Sequence, residues 1–501
     1  MPTTPPLLLA LAAILVGAAS PGPKDSDTVA WWRTTAALSS DAMEGRDTGS
    51  PALERAARLV AARLAAAGLK PVGDGGSWFQ HIPLDEIALT RADLRAGGKP
   101  IAFLDDFTID ANAGLPRILS LPIAYRGYCA AGALGDVRGR LVICHGTHRA
   151  GLPTAADRVA AVRAAGAAGI ATIWDPGFTV EPPRWPLAYE RNVSIRGQGP
   201  APDTFISMRL RAEALGLLVP GRDARALIRA GSAGRSLPSF DSPAKLAGRL
   251  TIATRHYSAP NVMGILPGTD PAKADHAIVL TAHLDGYGYG KPVRGDSIYN
   301  GTLDDAAYVA LLIRLAERRH GAGFARPLIF AIVAGEEKGL LGSRWLVAHP
   351  PRPLSRIAAD INLDQLRPIF PLRLLTVHAK DESTLGDDAS AVAASMGIAV
   401  QNDPEPERNL LQRSDHWTFI KAGIPSLNFV FGYTPGSASE RIYRQWYRSG
   451  YHRPQDDLKQ PIDWQAAADF NRFFYALVAR IADSPSAPAW KPGSKLRPAA
   501  R

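Results

Sequence analysis

The sequence predicts an α/β protein, because short apolar runs alternate with helix-like segments. Three runs, at residues 278–280, 328–333 and 361–363, are mostly aliphatic and are typical of buried strands. A helix-like segment, residues 306–319, follows the first of them. Since open α/β sheets bind ligands at the carboxyl ends of their strands, the residues after each run are candidates for a functional site.

Acidic residues follow all three runs, and a histidine accompanies the first. The residues at these positions are His283, Asp285, Asp304, Asp305, Glu336, Glu337 and Asp364. Carboxylates gathered at one sheet edge repel one another unless cations hold them. Imidazole nitrogen with carboxylate oxygen, and without thiolate, suits a divalent metal. The sequence therefore predicts a divalent-metal site at this edge.

The order of these motifs resembles that of the M28 family of zinc peptidases. The motifs are His283-x-Asp285, Gly301-x-x-Asp304-Asp305, Glu336-Glu337, Asn362-Leu363-Asp364 and Tyr451-His452. The resemblance covers roughly residues 41–482, and includes the phrase M-x-G-R-x-x-G-S that begins at Met43. It implies the zinc exopeptidase fold, which is a mixed, mostly parallel sheet flanked by helices.

The resemblance also implies two Zn²⁺ ions and a ligand set for them. The implied ligands are His283, Asp304, Glu337, Asp364 and His452. Asp304 would bridge the two ions, and each ion would receive one histidine and one further carboxylate. The neighbouring His416 follows two helix-capping residues, and we expect it to lie beside the site without binding metal.

Three further residues receive roles from the same resemblance. Glu336 is expected to be the general base that moves a proton from water to the leaving amine. Asp285 is expected to orient His283 through the second ring nitrogen, and Tyr451 to donate its hydroxyl to the developing oxyanion. One departure concerns Ala307-Tyr308, where family members commonly have Ser-Gly. We expect Tyr308 to add bulk beneath the metals.

Residues 115–250 follow a different pattern and predict a small inserted α/β domain. Strand-like runs at 118–128 and 139–144 precede a helix-like segment, 155–168. The insert resembles the protease-associated (PA) domain that several M28 members carry. It contains the chain's only two cysteines, Cys129 and Cys144. The sequence allows either a disulfide between them or two buried free thiols.

The remaining segments of the chain are a predicted signal peptide, the two parts of the peptidase domain and a C-terminal tail. The apolar segment at residues 7–19 predicts a signal peptide, residues 1–20, and therefore a periplasmic or secreted protein, with an uncleaved anchor as the alternative. The peptidase domain is expected at 25–114 and 251–484, with a long loop at 432–450. The Pro-rich tail, 485–501, is expected to be disordered.

Composition excludes other classes of protein. The net charge of +10 includes no basic run and no RNA-binding motif, so we expect no nucleic-acid partner and interpret the charge as aiding solubility. No stretch after the N-terminus is apolar enough for stable membrane insertion.

The expected activity is release of N-terminal residues from peptides. One alternative is a carboxypeptidase or dipeptidase of the glutamate carboxypeptidase kind. It would need an arginine cluster for the substrate carboxylate, for which Arg294, Arg408 and Arg413 are candidates. The other alternative is a non-catalytic binding protein with the same fold, which zinc analysis would distinguish from an enzyme.

Overall fold

The computed structural model describes residues 22–147, 149–176, 185–365 and 367–498. The predicted signal peptide lies outside these ranges. Across them, no helix combines the length and the apolarity that crossing a membrane requires.

Helices and strands alternate along the described chain. The helices are α1 Ser26–Leu38, α2 Pro51–Ala66, α3 Ala155–Ala164, α4 Leu215–Leu218, α5 Ala224–Ser232, α6 Ala307–Arg319, α7 Leu341–Ala348, α8 Thr384–Ser395, α9 His416–Lys421, α10 Ala438–Ser449 and α11 Trp464–Asp483. The strands are β1 Lys70–Pro71, β2 Phe79–Ala96, β3 Lys99–Ile101, β4 Phe107–Ile109, β5 Ile118–Arg126, β6 Leu141–His145, β7 Gly169–Ile173, β8 Arg191–Ile195, β9 Ile206–Leu210, β10 Ser239–Leu266, β11 Ala277–His283, β12 Gly288–Val293, β13 Asp296–Tyr299, β14 Leu328–Val333, β15 Ile357–Leu363, β16 Leu374–His378, β17 Ala399–Gln401 and β18 Ser426–Phe431.

A mixed sheet with a parallel centre forms the peptidase body, as predicted. Strand β11 pairs in parallel with β14 on one side and β15 on the other, and β15 pairs in parallel with β18. Strand β10 runs antiparallel to β14, and β16 runs antiparallel to β18. All three of the predicted apolar runs are buried strands. Their parallel pairing brings the residues that follow them to one edge.

Two long antiparallel strands, β2 and β10, carry the sheet out of the body and into the insert. They pair from Phe79–Val262 at the body to Ala96–Leu246 at the insert. Beyond them β5 pairs with β10, and β6, β7 and β9 continue the sheet in parallel. The continuous strand β10 means that the boundary expected at residue 251 falls inside a strand.

The body and the insert have separate apolar cores, and these cores place the first boundary earlier than the sequence analysis did. The body core includes Trp31, Leu312 and Phe473. The insert core already includes Leu89 and Ile109, which the sequence assigned to the peptidase domain. The insert therefore begins in the outer half of β2, because one long strand serves both cores.

Cys129 and Cys144 form a disulfide, which settles the alternative that the sequence left open. The bond joins the turn after β5 to strand β6. Whether the insert shares ancestry with PA domains stays a prediction.

The prediction of a loop at residues 432–450 is wrong for most of this range, because helix α10 occupies residues 438–449. Ser437 caps the helix, and Tyr443, Trp446 and Tyr447 form its buried face. These three residues have the i, i+3, i+4 spacing of a helix. The flanking glycines obscured this period in the sequence.

The tail expected to be disordered is anchored in the described part of its length. The Glu382 carboxylate accepts hydrogen bonds from Ser494, Lys495 and Leu496. Trp490 donates its indole N–H to the Gly423 carbonyl. Composition alone could not reveal these partners, since they come from distant parts of the chain.

Candidate metal centre

The carboxyl ends of three parallel strands position the candidate ligands. His283 is the last residue of β11, and Asp364 directly follows β15. Glu336 and Glu337 follow β14 after a turn at Gly335, whose φ is +74°. Register pairs His283 with Val333, so the ends of β11 and β14 lie side by side.

Asp304 lies between the two histidines and faces both of them. Its Oδ1 is 3.2 Å from His283 Nε2, and its Oδ2 is 3.4 Å from His452 Nε2. Asp364 Oδ1 lies 3.8 Å from the same His283 nitrogen. Glu337 Oε2 lies 3.7 Å from the same His452 nitrogen. The result is two clusters of nitrogen and oxygen atoms that share one carboxylate.

Potential ligand atoms in these clusters are close enough to surround an ion. The combinations are His283 with Asp304 and Asp364, Asp304 with Glu337 and His452, and His283 with Glu336 and Glu337. The third combination places Glu336 at the same centre.

The donor set fits divalent cations. The five side chains of the predicted ligand set are between 1% and 8% exposed. Among the described residues, Asp304 Oδ2 and Asp364 Oδ1 have no hydrogen-bond partner. Buried carboxylate oxygens without donors are costly unless a cation satisfies them, and imidazole with carboxylate oxygen is a usual donor set for zinc.

Burial shapes the acidity of this centre. Burial raises the pKa of Glu336 well above its ordinary value, and the nearby Glu337 and Asp364 add to the effect while His283 opposes it. Burial likewise raises the pKa of Glu337 to about 7. For Asp304 burial acts in the same direction, but the neighbouring imidazoles of His283 and His452 outweigh it and lower the pKa. The pair of imidazoles therefore favours the anionic form of the shared carboxylate.

Asp285 supports the centre differently from the prediction. His283 Nδ1–H donates to the Asp285 backbone carbonyl at 3.1 Å, whereas the nearest Asp285 carboxylate oxygen is 3.8 Å from this nitrogen. The carboxylate instead accepts the Glu336 backbone N–H at 3.1 Å and the Thr48 hydroxyl at 2.8 Å. Asp285 thus orients the histidine with its backbone and fixes the backbone of Glu336 with its side chain.

Sequence reasoning missed the role of Arg46, which is completely buried beneath the site. Its guanidinium donates to the carbonyls of Leu284, Asn300 and Gly301 at 2.7–3.0 Å. These carbonyls belong to the segments that carry His283 and Asp304. The M-x-G-R phrase was the available signal, but it carried no indication of these partners.

Two further aspartates hold the backbone of the site. Asp305 accepts the N–H of His283 at 3.2 Å and that of Gln365 at 3.3 Å, which ties β11 to the loop after β15. Asp456 accepts the N–H of Asp304 at 3.1 Å. Its position four residues after His452 was the only sequence signal for this contact.

A cavity of about 630 Å³ opens above the ligands, and we call it the metal-side cavity. Its walls include Gln365, Val430, Tyr447 and Tyr451. The Tyr451 ring stacks on His452 with centroids 3.6 Å apart, and Arg413 Nη2 donates to the Tyr451 hydroxyl at 3.5 Å. Burial raises the pKa of Tyr451 well above its ordinary value, so this phenol stays protonated.

Arginines considered for a substrate carboxylate lie in different places. Arg413 lines the metal-side cavity, whereas Arg294 lines another cavity beside α10. Arg408 pairs with Glu405 at 3.0 Å and lies over the Tyr447 ring. The structure therefore does not bring these three residues together as a cluster.

Tyr308 and His416 lie outside the candidate ligand groups. The Tyr308 hydroxyl donates to the Phe429 carbonyl at 3.4 Å, and its ring packs against Phe470 in the core. The expected bulk therefore lies in the core and not in the metal-side cavity. His416 is buried at the start of α9 and stacks on His378. Among the described residues, none of the candidate metal groups contains it.

Buried imidazoles and carboxylates thus gather at the carboxyl edge of a mixed sheet, beneath a cavity, which is the arrangement of a divalent-metal site. The model of peptidase family M28 matches residues 261–478. This part of the chain is therefore similar to peptidase family M28.

Curated relatives share parts of this region. The chain is similar to the alkaline phosphatase isozyme conversion protein of Escherichia coli (strain K12), with 31% identity over 31% of this chain and 49% of that protein. It is 24% identical to aminopeptidase YwaD of Bacillus subtilis (strain 168), over 41% of each chain. A probable zinc metalloprotease of Pyrenophora teres is 27% identical over 38% of this chain and 42% of that protein. The chain thus spans less than half the length of these relatives.

Solved structures match over nearly the whole chain. An aminopeptidase from Aneurinibacillus sp. strain AM-1 has a TM-score of 0.59 at 17% identity, covering 95% of this chain and 96% of that one. A zinc aminopeptidase from Bacillus subtilis has a TM-score of 0.61 at 18% identity, covering 92% and 96%. At this level of identity the likeness shows a shared fold, including the mixed sheet that the sequence predicted.

Proposed function

We propose that this protein is an exported aminopeptidase that uses two zinc ions. The observation that supports two ions best is Asp304, whose two carboxylate oxygens face two different histidines. In this proposal His283 and Asp364 hold one ion, His452 and Glu337 hold the other, and Asp304 bridges them. The bound ions would polarise the scissile carbonyl and lower the pKa of the attacking water.

Glu336 is the proposed general base. It lines the metal-side cavity beside the ligand groups, and the Asp285 carboxylate fixes its backbone. Burial gives its carboxylate a high proton affinity, which suits a group that accepts a proton from water and returns it to the leaving amine.

Tyr451 is the proposed donor to the oxyanion. Its hydroxyl is protonated, borders the same cavity, and is oriented by Arg413. A donor placed where negative charge develops stabilises the transition state more than the ground state.

The separation of the candidate arginines favours an aminopeptidase over a carboxypeptidase. A carboxypeptidase would need arginines grouped around the substrate carboxylate, and of the three candidates only Arg413 lines the metal-side cavity.

Substrates with a free and with an acetylated amino group test the aminopeptidase assignment. Leucine p-nitroanilide should be hydrolysed by the zinc-loaded protein, and its N-acetylated form should not. Comparable cleavage of both would contradict an aminopeptidase. Zinc analysis tests the non-catalytic alternative, since an enzyme of this kind should bind about two ions per chain and a pure binding protein should bind none.

The disulfide supports export, because such bonds persist in oxidising compartments. Fractionation of bacteria that express the full chain should find the protein in the periplasm or medium. Retention in the cytoplasm would contradict this part of the proposal.

A further inference from the structure

A second cavity, of about 510 Å³, lies between the body and the insert, and we call it the insert-side cavity. It adjoins the metal-side cavity, because Tyr189, Tyr287 and Glu337 line both. The two cavities therefore meet at the Glu337 side of the metal centre. These three residues form the boundary between the two cavities.

The insert supplies the far wall from the ends of three strands. Asp110 follows β4, Trp174 follows β7, and Arg209 lies near the end of β9. The Arg209 guanidinium lies 6.0 Å from the Trp174 ring centroid and 5.8 Å from that of Tyr189. Both distances are within the range of a cation–π contact, so these rings help to hold the guanidinium at this wall.

Arg209 is partly exposed at this wall. Among the described residues it pairs with Asp110 at 2.9 Å, and its side chain is 35% exposed. A guanidinium has five N–H donors in a planar fork, so one carboxylate does not saturate it. The other two cations of this cavity are more occupied: Arg191 pairs with Asp47 and Glu86, and Lys338 donates to the Ala188 carbonyl.

Both cavities are lined by charges of both signs. Arg344, Arg413 and Lys421 line the metal-side cavity beside its carboxylates, and Arg191, Arg209 and Lys338 line the insert-side cavity beside Asp110 and Glu337. A short peptide with its free amine at the metal centre would bring its free carboxylate to the cations of the insert-side cavity. We propose that the insert-side cavity binds the leaving part of a short peptide and holds its C-terminal carboxylate at Arg209. This inference rests on the proposed aminopeptidase function and names di- and tripeptides as its preferred substrates.

Pairs of substrates that differ only at the C-terminus test the role of the substrate carboxylate. Leu-Gly-Gly should have a kcat/KM about tenfold higher than its C-terminal amide, because only the free acid can pair with Arg209. Leucine extended by six glycines should show no such difference, since its carboxylate lies beyond the cavity. Equal rates for Leu-Gly-Gly and its amide would overturn the inference.

Two substitutions should act in opposite directions. Arg209→Gln should raise KM for Leu-Gly-Gly about tenfold and leave leucine p-nitroanilide unchanged, and Arg209→Lys should restore part of the affinity. Asp110→Asn should lower the same KM about threefold, because Arg209 loses a competing carboxylate. Arg225→Gln, at an exposed position of α5, is the matched control and should change nothing. An Arg209→Gln variant with unchanged KM for Leu-Gly-Gly would overturn the inference.

Binding of the leaving product distinguishes failure of the site from failure of the proposed function. Calorimetric titration of the zinc-loaded protein with glycylglycine should give tighter binding than with its amide, and Arg209→Gln should remove the difference. If no peptide is hydrolysed but this preference is found, the aminopeptidase proposal fails and the carboxylate site stands. If the acid and the amide bind equally, the site is overturned whatever the activity.

Discussion

The peptidase body and the insert use buried polar groups in different ways. The body gathers carboxylates at one sheet edge, where Asp285, Asp304, Asp305 and Asp364 are at most 5% exposed. The insert instead surrounds a disulfide with apolar residues, among them Leu134, Val142 and Ile170, and places Arg209 and Trp174 at its rim. The comparison teaches that the candidate metal centre belongs to the body, whereas the disulfide-bonded insert borders the site only through the residues at its rim.

The largest effect should come from the proposed base in the body. Glu336→Gln preserves shape but removes the proton acceptor, so kcat on leucine p-nitroanilide should fall on the order of 10²–10⁴-fold with zinc content unchanged. Glu213→Gln, on an insert side chain that is 76% exposed, is the control and should retain full turnover. Full activity of a zinc-loaded Glu336→Gln protein would remove Glu336 from this role.

The next effect concerns the two histidines near the cavity. His452→Ala should remove about one zinc ion per chain and abolish activity, because it deletes a proposed ligand. His416→Ala should retain both ions, since His416 stacks on His378 outside the candidate groups. Elemental analysis of the purified variants decides between them, and the reverse pattern would show that His416 is the ligand.

The insert should be the part that depends on the disulfide. Replacing Cys129 and Cys144 together by Ser should lower the free energy of unfolding by about 3 kcal/mol, the value for a loop of this length. Zinc content and nitroanilide hydrolysis at 25 °C should be retained, because both belong to the body. Denaturant unfolding with a parallel activity assay tests this prediction, and loss of zinc would contradict the separation of the two units.

The last prediction is a pH dependence of stability that arises in the body. Burial raises the pKa of Asp360 to about 8, although Ser426 and Thr281 donate hydrogen bonds to its carboxylate. Because this pKa lies above the unfolded value of about 3.9, the contribution of the protonated group is complete below that pH and is lost as pH rises to about 8.

Asp360→Asn should therefore become more stable relative to the wild type as pH rises from 5 to 8. The difference should grow by at most about 1.4 kcal/mol per pH unit, the limit for one proton. Denaturant titrations at several pH values measure it. Asp136→Asn, at an exposed position of the insert, should show no such slope. A constant difference for Asp360→Asn would mean that this carboxyl does not titrate in the range.

Local patterns in the sequence were sufficient for much of the fold and for the candidate site. The runs at β11, β14 and β15 are continuous and apolar, as strands covered on both faces must be. Their acidic ends marked the site before any contact was known. The pattern failed at α10, where buried aromatic residues alternate with arginines between flanking glycines, so the helical period was overlooked.

The sequence by itself determined which residue types stand at the strand ends, and hence that buried carboxylates and imidazoles would meet there. Only the tertiary structure decided that Asp304 faces both histidines, that Asp285 contacts His283 through its carbonyl, and that Arg46 joins the segments beneath them. It also decided that the insert closes a second cavity beside Glu337. The physical reason is range: periodicity is a local property of the chain, whereas these contacts join residues up to about 250 positions apart and depend on the packing of the whole sheet.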